Sequence, residues 1–171
     1  MNTIRRLMIG EGDLYRKVRL ESLCESPEAF SSKYEDALSR NEESWNIQAD
    51  SSAAGSDRAT YIVLDDQPCG LGAIYRDGNQ SEVGELIQMW VSPDYRGSSV
   101  SRDLLDRLFD WASLNGFTRI KAEVQKDNSR AIRFYHRYGF ISSDEEASHL
   151  DSSIMLTKPV EQGSAHQSTT R

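Results

Sequence analysis

Apolar residues recur along this chain sometimes at every second position and sometimes at every third or fourth, which predicts strands and helices in succession. Residues 3–9 (TIRRLMI) and 60–64 (TYIVL) predict strands, and PCGLGAIYRD at 68–77 follows the turn-like Asp65-Asp66-Gln67 to complete a hairpin. Residues 82–91 (EVGELIQMWV) are rich in strand formers and stop at Ser92-Pro93, where the proline ring fixes φ; this predicts the central strand. Val100, Leu104, Leu105, Leu108, Phe109 and Trp111 then form a helical stripe among charged residues, closed by Asn115-Gly116. Residues 119–124 alternate as a half-buried strand, and Asn128 caps a helix that runs to about Tyr138 before Gly139. Nearer the start, Leu14, Val18, Leu20 and Leu23 predict a helix after Asp13, and residues 41–48 predict a short one with Trp45 turned inward. A last strand is expected at 153–156. Residues 51–58 (SSAAGSDR) and 161–171 (EQGSAHQSTTR) have loop and tail composition, predicting a mobile loop and a disordered C-terminal tail. The sum is one mixed α/β domain over residues 1–160, antiparallel in its front half and β-α-β-α in its back half.

Composition narrows the classes without naming one. With 171 residues, 37% hydrophobic and 27% charged, the chain has ordinary globular usage, so collagen-like, fibrous and wholly disordered readings drop out. A net charge of −7 argues against phosphate-backbone binding, so no nucleic-acid partner is expected. No stretch approaches the roughly 20 apolar residues that span a bilayer, so no membrane partner is expected either. Cys24 and Cys69 are too few for a disulfide scaffold, and no signal-peptide h-region opens the chain, which points to a reducing cytoplasm. His136, His149 and His166 have no metal-ligand spacing with the cysteines, so no metal site is expected.

The junction MWVSPDYRGSSVSRDLL carries the most chemistry, because a strand ends there and a glycine-serine turn opens a helix. Unpaired N–H groups and the positive end of the helix dipole make such a junction an anion site, suited to a phosphate or pyrophosphate and lined by Gly97, Ser98, Ser99, Val100 and Ser101. Local physics permits simple capping by Ser98 or Ser99 equally well.

Residues 91–105 (V-x-P-x-Y-R-G-x-x-V-x-x-x-L-L) resemble the acetyl-CoA-binding motif of the GCN5-related N-acetyltransferases, Q/R-x-x-G-x-G/A, read here from Arg96 to Ser101. About thirty residues on, Asn128-x-x-Ala131-x-x-Phe134-Tyr135-x-x-x-Gly139-Phe140 is similar to a second motif of that family, and SPEAF at 26–30 resembles a stretch of some small members. The resemblance covers most of residues 3–157 and implies the family's fold, a central mixed, mostly antiparallel sheet flanked by helices. It implies an acetyl-CoA-dependent N-acetyltransferase that acts by direct attack in a ternary complex. It further implies that the central strand splays from its neighbour, so that backbone groups around Met89, Trp90 and Val91 hold the pantetheine arm.

In the same resemblance Tyr135 matches the tyrosine that protonates the departing thiolate; a phenol with a reference pKa of about 10 keeps its proton at neutral pH. Asn128 shares a helix face with Ile132 and Tyr135 and reaches the same ligand, although an N-cap and a core aromatic account for the two residues without any ligand. Glu85 matches a glutamate that serves as general base in some members, and regular alternation would place it on one face with Ile87, Met89 and Val91. Ser99 and Ser101 depart from the family's glycine or small residue; a serine there either crowds the ligand or donates a hydrogen bond to it. Seven carboxylates between Glu25 and Asp50, against Lys33 and Arg40, suggest a cationic acceptor, while a solvated face explains them as well. The acceptor expected is a small-molecule primary amine; a protein amine and a non-catalytic acyl-CoA sensor are the alternatives, and a homodimer is compatible with either.

Overall fold

A computed structural model describes residues 2–143 and 152–162. His149, His166 and all but the first two residues of the expected C-terminal tail lie outside the described residues. Seven strands form one mixed sheet: β1 (Thr3–Arg6), β2 (Arg58–Asp65), β3 (Gln67–Arg76), β4 (Val83–Val91), β5 (Arg119–Gln125), β6 (Ile141–Ser142) and β7 (Ser153–Pro159). Their spatial order is β1-β2-β3-β4-β5-β7-β6, with β4 and β5 parallel and the other neighbours antiparallel. Helices α1 (Gly12–Glu25), α2 (Tyr34–Leu38) and α3 (Glu42–Ala53) cover one face, and α4 (Val100–Leu114) and α5 (Ser129–Tyr138) the other. No helix of the described residues is long and apolar enough to cross a membrane.

Two cores follow from this sandwiching. Strand β2 sends Ala59, Tyr61 and Val63 to the α4 side and Ile62 and Leu64 to the α1 side, which is why TYIVL reads as a continuous apolar run. The stripe of α4 buries Val100, Leu104, Leu105, Leu108, Trp111 and Ala112 in the first core. The second holds Tyr15, Val18 and Leu23 of α1 with Trp45 and Ala49 of α3. Helix α5 starts at Asn128, whose side chain accepts from the Ala131 N–H at 3.2 Å, and closes at Gly139, whose φ of 118° is left-handed.

The loop expected at 51–58 is a correction, because α3 continues through Ala53. The serines stay in the helix by turning their hydroxyls onto its carbonyls: Ser51 donates to the Ile47 carbonyl at 2.7 Å and Ser52 to the Ala49 carbonyl at 3.0 Å. Arg6 then ties the exit down by donating to the carbonyls of Ser52, Gly55 and Arg58. One side chain thus satisfies three backbone acceptors that polar composition alone assigns to water.

Candidate active site

The parallel pairing of β4 with β5 extends over Val83–Arg119, Gly84–Ile120 and Glu85–Lys121 and then stops. Beyond it β4 continues to Val91 paired only with β3, and β5 continues to Gln125 paired only with β7. A wedge opens between them, leaving one edge of each strand with main-chain donors and acceptors to offer. Two cavities meet in the wedge, one of about 520 Å³ toward α1 and one of about 170 Å³ toward the start of α4. Phe30, Met89, Asn128, Ala131 and Tyr135 line both.

A bulge in β4 shapes the wall of this wedge. Leu71 pairs with Trp90 and Ala73 with Ile87, so Gly72 of β3 faces both Gln88 and Met89, and Gln88 takes the left-handed φ of 60°. The extra residue inverts the alternation. Before it, Glu85 lies opposite Tyr75 and Ile87 opposite Ala73, on the α1 face; after it, Trp90 lies opposite Leu71 on that same face. Met89 and Val91 pack instead into the α4 core, with Met89 over Gly72, where a Cβ would come within 2.9 Å of its sulfur. The single face expected for Glu85, Ile87, Met89 and Val91 is therefore split into two, because regular alternation takes no account of an inserted residue.

Past β4 the chain turns through Pro93–Tyr95 to Gly97, whose φ of 79° is one that glycine adopts without strain. Gly97 and Ser101 line the smaller cavity, whereas Val100 is buried in the core and the hydroxyls of Ser98 and Ser99 are turned onto their own turn and helix. Ser98 donates to the Tyr95 carbonyl and accepts from the Val100 N–H at 3.4 Å, while Ser99 donates to Asp103 at 3.0 Å. Arg96 also lines the smaller cavity, but its guanidinium is engaged: it donates to Glu25 at 2.6 and 3.2 Å, to the Val91 carbonyl at 3.1 Å and to Ser26 at 3.3 Å. Burial works against the charge on Glu25, yet hydrogen bonds from Arg96, Ser26 and Trp90 outweigh it and hold that carboxyl down at about 2. Arg96 and Glu25 thus lock the end of β4 and the turn after it to the end of α1.

Arg130 and Arg137 join Arg96 along the smaller cavity, and among the described residues no carboxylate lines it. With the start of α4 and Gly97 beside them, these groups suit a polyanion such as a pyrophosphate. Sequence reasoning passed over both arginines, which sit seven residues apart on α5 and therefore on one face.

Tyr135 stands where the cavities meet, 8% exposed, its ring 5.3 Å from that of Phe140. Its hydroxyl makes no hydrogen bond to any described residue, and burial raises its pKa, so the phenol holds its proton. Asn128, one turn earlier, lines both cavities and caps α5 at the same time. Glu85 lines the larger cavity from the last paired position of β4, with no ion pair among the described residues. None of the seven carboxylates between Glu25 and Asp50 lines that cavity; the charges there are Arg19, Glu85 and Glu123. The acidic run therefore does not line that cavity, a correction with a plain cause: Glu25 is held by Arg96, Asp50 accepts from the Gly10 N–H, and Glu28, Glu35, Asp36, Glu42 and Glu43 are exposed. Arg19 and Phe30 were likewise not singled out.

The comparisons with known proteins agree with this geometry. A model of the Acetyltransferase (GNAT) family matches residues 19–140. An uncharacterized N-acetyltransferase of Methanocaldococcus jannaschii is 34% identical over 59 residues, 34% of this chain and 26% of that protein. An IAA acetyltransferase of Azospirillum brasilense is 33% identical over 72 residues, 42% of this chain and 45% of that protein, so the matches span about a quarter and under half of these curated relatives. Among solved structures, an acetyltransferase of GNAT family from Streptococcus pneumoniae superposes with a TM-score of 0.78 at 19% identity, covering 94% of this chain and 100% of its own. PaiA N-acetyltransferase from Thermoplasma acidophilum in complex with coenzyme A gives 0.74 at 20% identity, covering 93% and 99%. By the match over residues 19–140 and the wedge between β4 and β5, the chain belongs to the acetyltransferase (GNAT) family.

Proposed function

We propose that the chain transfers an acetyl group from acetyl-CoA to a primary amine of a small molecule, by direct attack with both substrates bound. The observation that carries this reading is the buried ring of Tyr135, its hydroxyl without a hydrogen bond to any described residue, at the junction of a polyanion-suited cavity and a second one large enough for an acceptor. Gly97, Ser101 and the N–H groups opening α4 hold the pyrophosphate, Arg130 and Arg137 offer charge to the remaining phosphate, and the open edge of β4 at Met89–Val91 takes the pantetheine amides.

Acetyl-CoA supplies an activated carbonyl and a thiolate leaving group. Tyr135 donates its proton to that sulfur, and the phenolate left behind is reprotonated from solvent. The acceptor amine, with a reference pKa of about 10.4, gives its proton to Glu85, directly or through water. N–H groups on the open edge of β4 polarise the carbonyl. The larger cavity, roofed by residues 29–32, is within the roughly 300–1,000 Å³ that encloses small molecules, which supports a small acceptor over a protein chain.

Thiol release from acetyl-CoA across a panel of polyamines, amino acids, aminoglycosides and N-terminal peptides tests the reading. Turnover of a small amine is expected. Binding of acetyl-CoA without thiol release on any amine would favour a sensor, and turnover confined to peptides would favour a protein acceptor.

A further inference from the structure

Among the described residues Arg19 is the one cation lining the larger cavity, and it is 6% exposed. Its guanidinium has five N–H donors, yet among the described residues it makes one hydrogen bond, to Ser22 at 3.4 Å, and no ion pair. It also lies over the Phe30 ring at 4.8 Å, and Phe30 lines the same cavity. Arginine is almost never fully buried without a partner, so a planar fork held in this way lacks an oxyanion. Burial pushes its pKa down and Arg40 adds to that, against a partial offset from Tyr15 and Tyr75, and an anion beside it would relieve the net cost.

We infer, resting on the acetyl-transfer reading above, that the acceptor is an amine that also bears a carboxylate, of the α-amino acid class, with the carboxylate bound by Arg19 and the amine turned toward Glu85. The cavity carries opposite charges from different elements: Arg19 comes from α1, and Glu85 from the part of β4 that pairs with β5. A zwitterion matches both charges. A polyamine would set a second cation against Arg19, and a phosphate dianion would meet Glu85 with a single guanidinium in compensation. A peptide N-terminus has no carboxylate near its amine and leaves Arg19 unpaired.

The test is calorimetric titration of the full chain, alone and saturated with coenzyme A, with alanine, methionine, phenylalanine and glutamate and with their α-carboxamides. The free acid of at least one pair is expected to bind ten or more times tighter than its amide, and Arg19→Gln to erase that difference. Arg19→Lys, which keeps the charge and loses the fork, is expected to retain part of it and covers the case in which the glutamine variant does not fold. Equal binding of acid and amide, no binding of either, or a preference that survives both substitutions overturns the inference. The coenzyme A titration on the same samples separates the two readings: bound coenzyme A with no carboxylate preference sinks the amino acid assignment alone, and unbound coenzyme A sinks acetyl transfer.

Discussion

The indole N–H of Trp90 donates to the Glu25 carboxylate across 2.8 Å, and the same oxygen receives Arg96 at 2.6 Å, so the last residues of α1 clamp both the end of β4 and the turn that follows. Glu25→Gln keeps the shape and removes the charge. With hydrogen bonds to charged groups worth roughly 1.5–3 kcal/mol, a loss of about 2 kcal/mol is expected by urea denaturation at pH 7. Since the folded carboxyl titrates at about 2, below its unfolded value of 4.5, the stabilisation is fully present above pH 4.5 and is lost as pH falls toward 2. The gap between the two proteins should therefore narrow over that window.

Tyr135→Phe preserves the ring packed edge-to-face at 5.3 Å from Phe140 and deletes only the hydroxyl. A fall in kcat of roughly 10²-fold or more is expected, with urea stability and acetyl-CoA affinity nearly unchanged. An unaltered kcat would remove the tyrosine from the chemistry.

Glu85→Gln should lower kcat/KM at neutral pH by roughly 10²-fold. The deficit should shrink as pH approaches the acceptor amine's own pKa, because a neutral amine needs no base. A deficit of constant size across that pH profile would assign Glu85 a role in binding.

Gly84 sits in the last stretch of β4 that pairs with β5, and a Cβ there would lie 2.7 Å from Ile74 Cγ2 and 2.9 Å from Ile120 Cδ1. Gly84→Ala is expected to cost roughly 1–3 kcal/mol through overpacking, measured by urea denaturation. A neutral result would mean that the wedge is less rigid than its packing implies.

How far the sequence carried the site can be judged from β4. Its ends, its proline stop and the anion-suited start of α4 were legible, because turn chemistry and apolar runs are local signals. The bulge was not: glutamine is an uncommon left-handed residue, and only the pairing of Leu71 and Ala73 shows that two residues of β4 face one of β3. Arg19 reads as one more polar position in α1 until the fold buries it under Phe30, and the acidic run reads as a substrate lure until α2 and α3 are placed. Long-range packing decided each of these. Of the residues in the family motifs, Asn128, Tyr135, Gly97 and Ser101 line the smaller cavity.

The central claim is that the smaller cavity and the start of α4 hold acetyl-CoA, and isothermal titration of the wild-type chain and of Gly97→Asp tests it most directly. Open space surrounds Gly97, so the variant adds a carboxylate at the α4 N-terminus without a clash, and aspartate bears the strain of a φ of 79° better than most residues. Micromolar binding of acetyl-CoA to the wild type, weakened at least tenfold in Gly97→Asp, is the expected result. No binding to the wild type, or equal binding to both, would contradict the account.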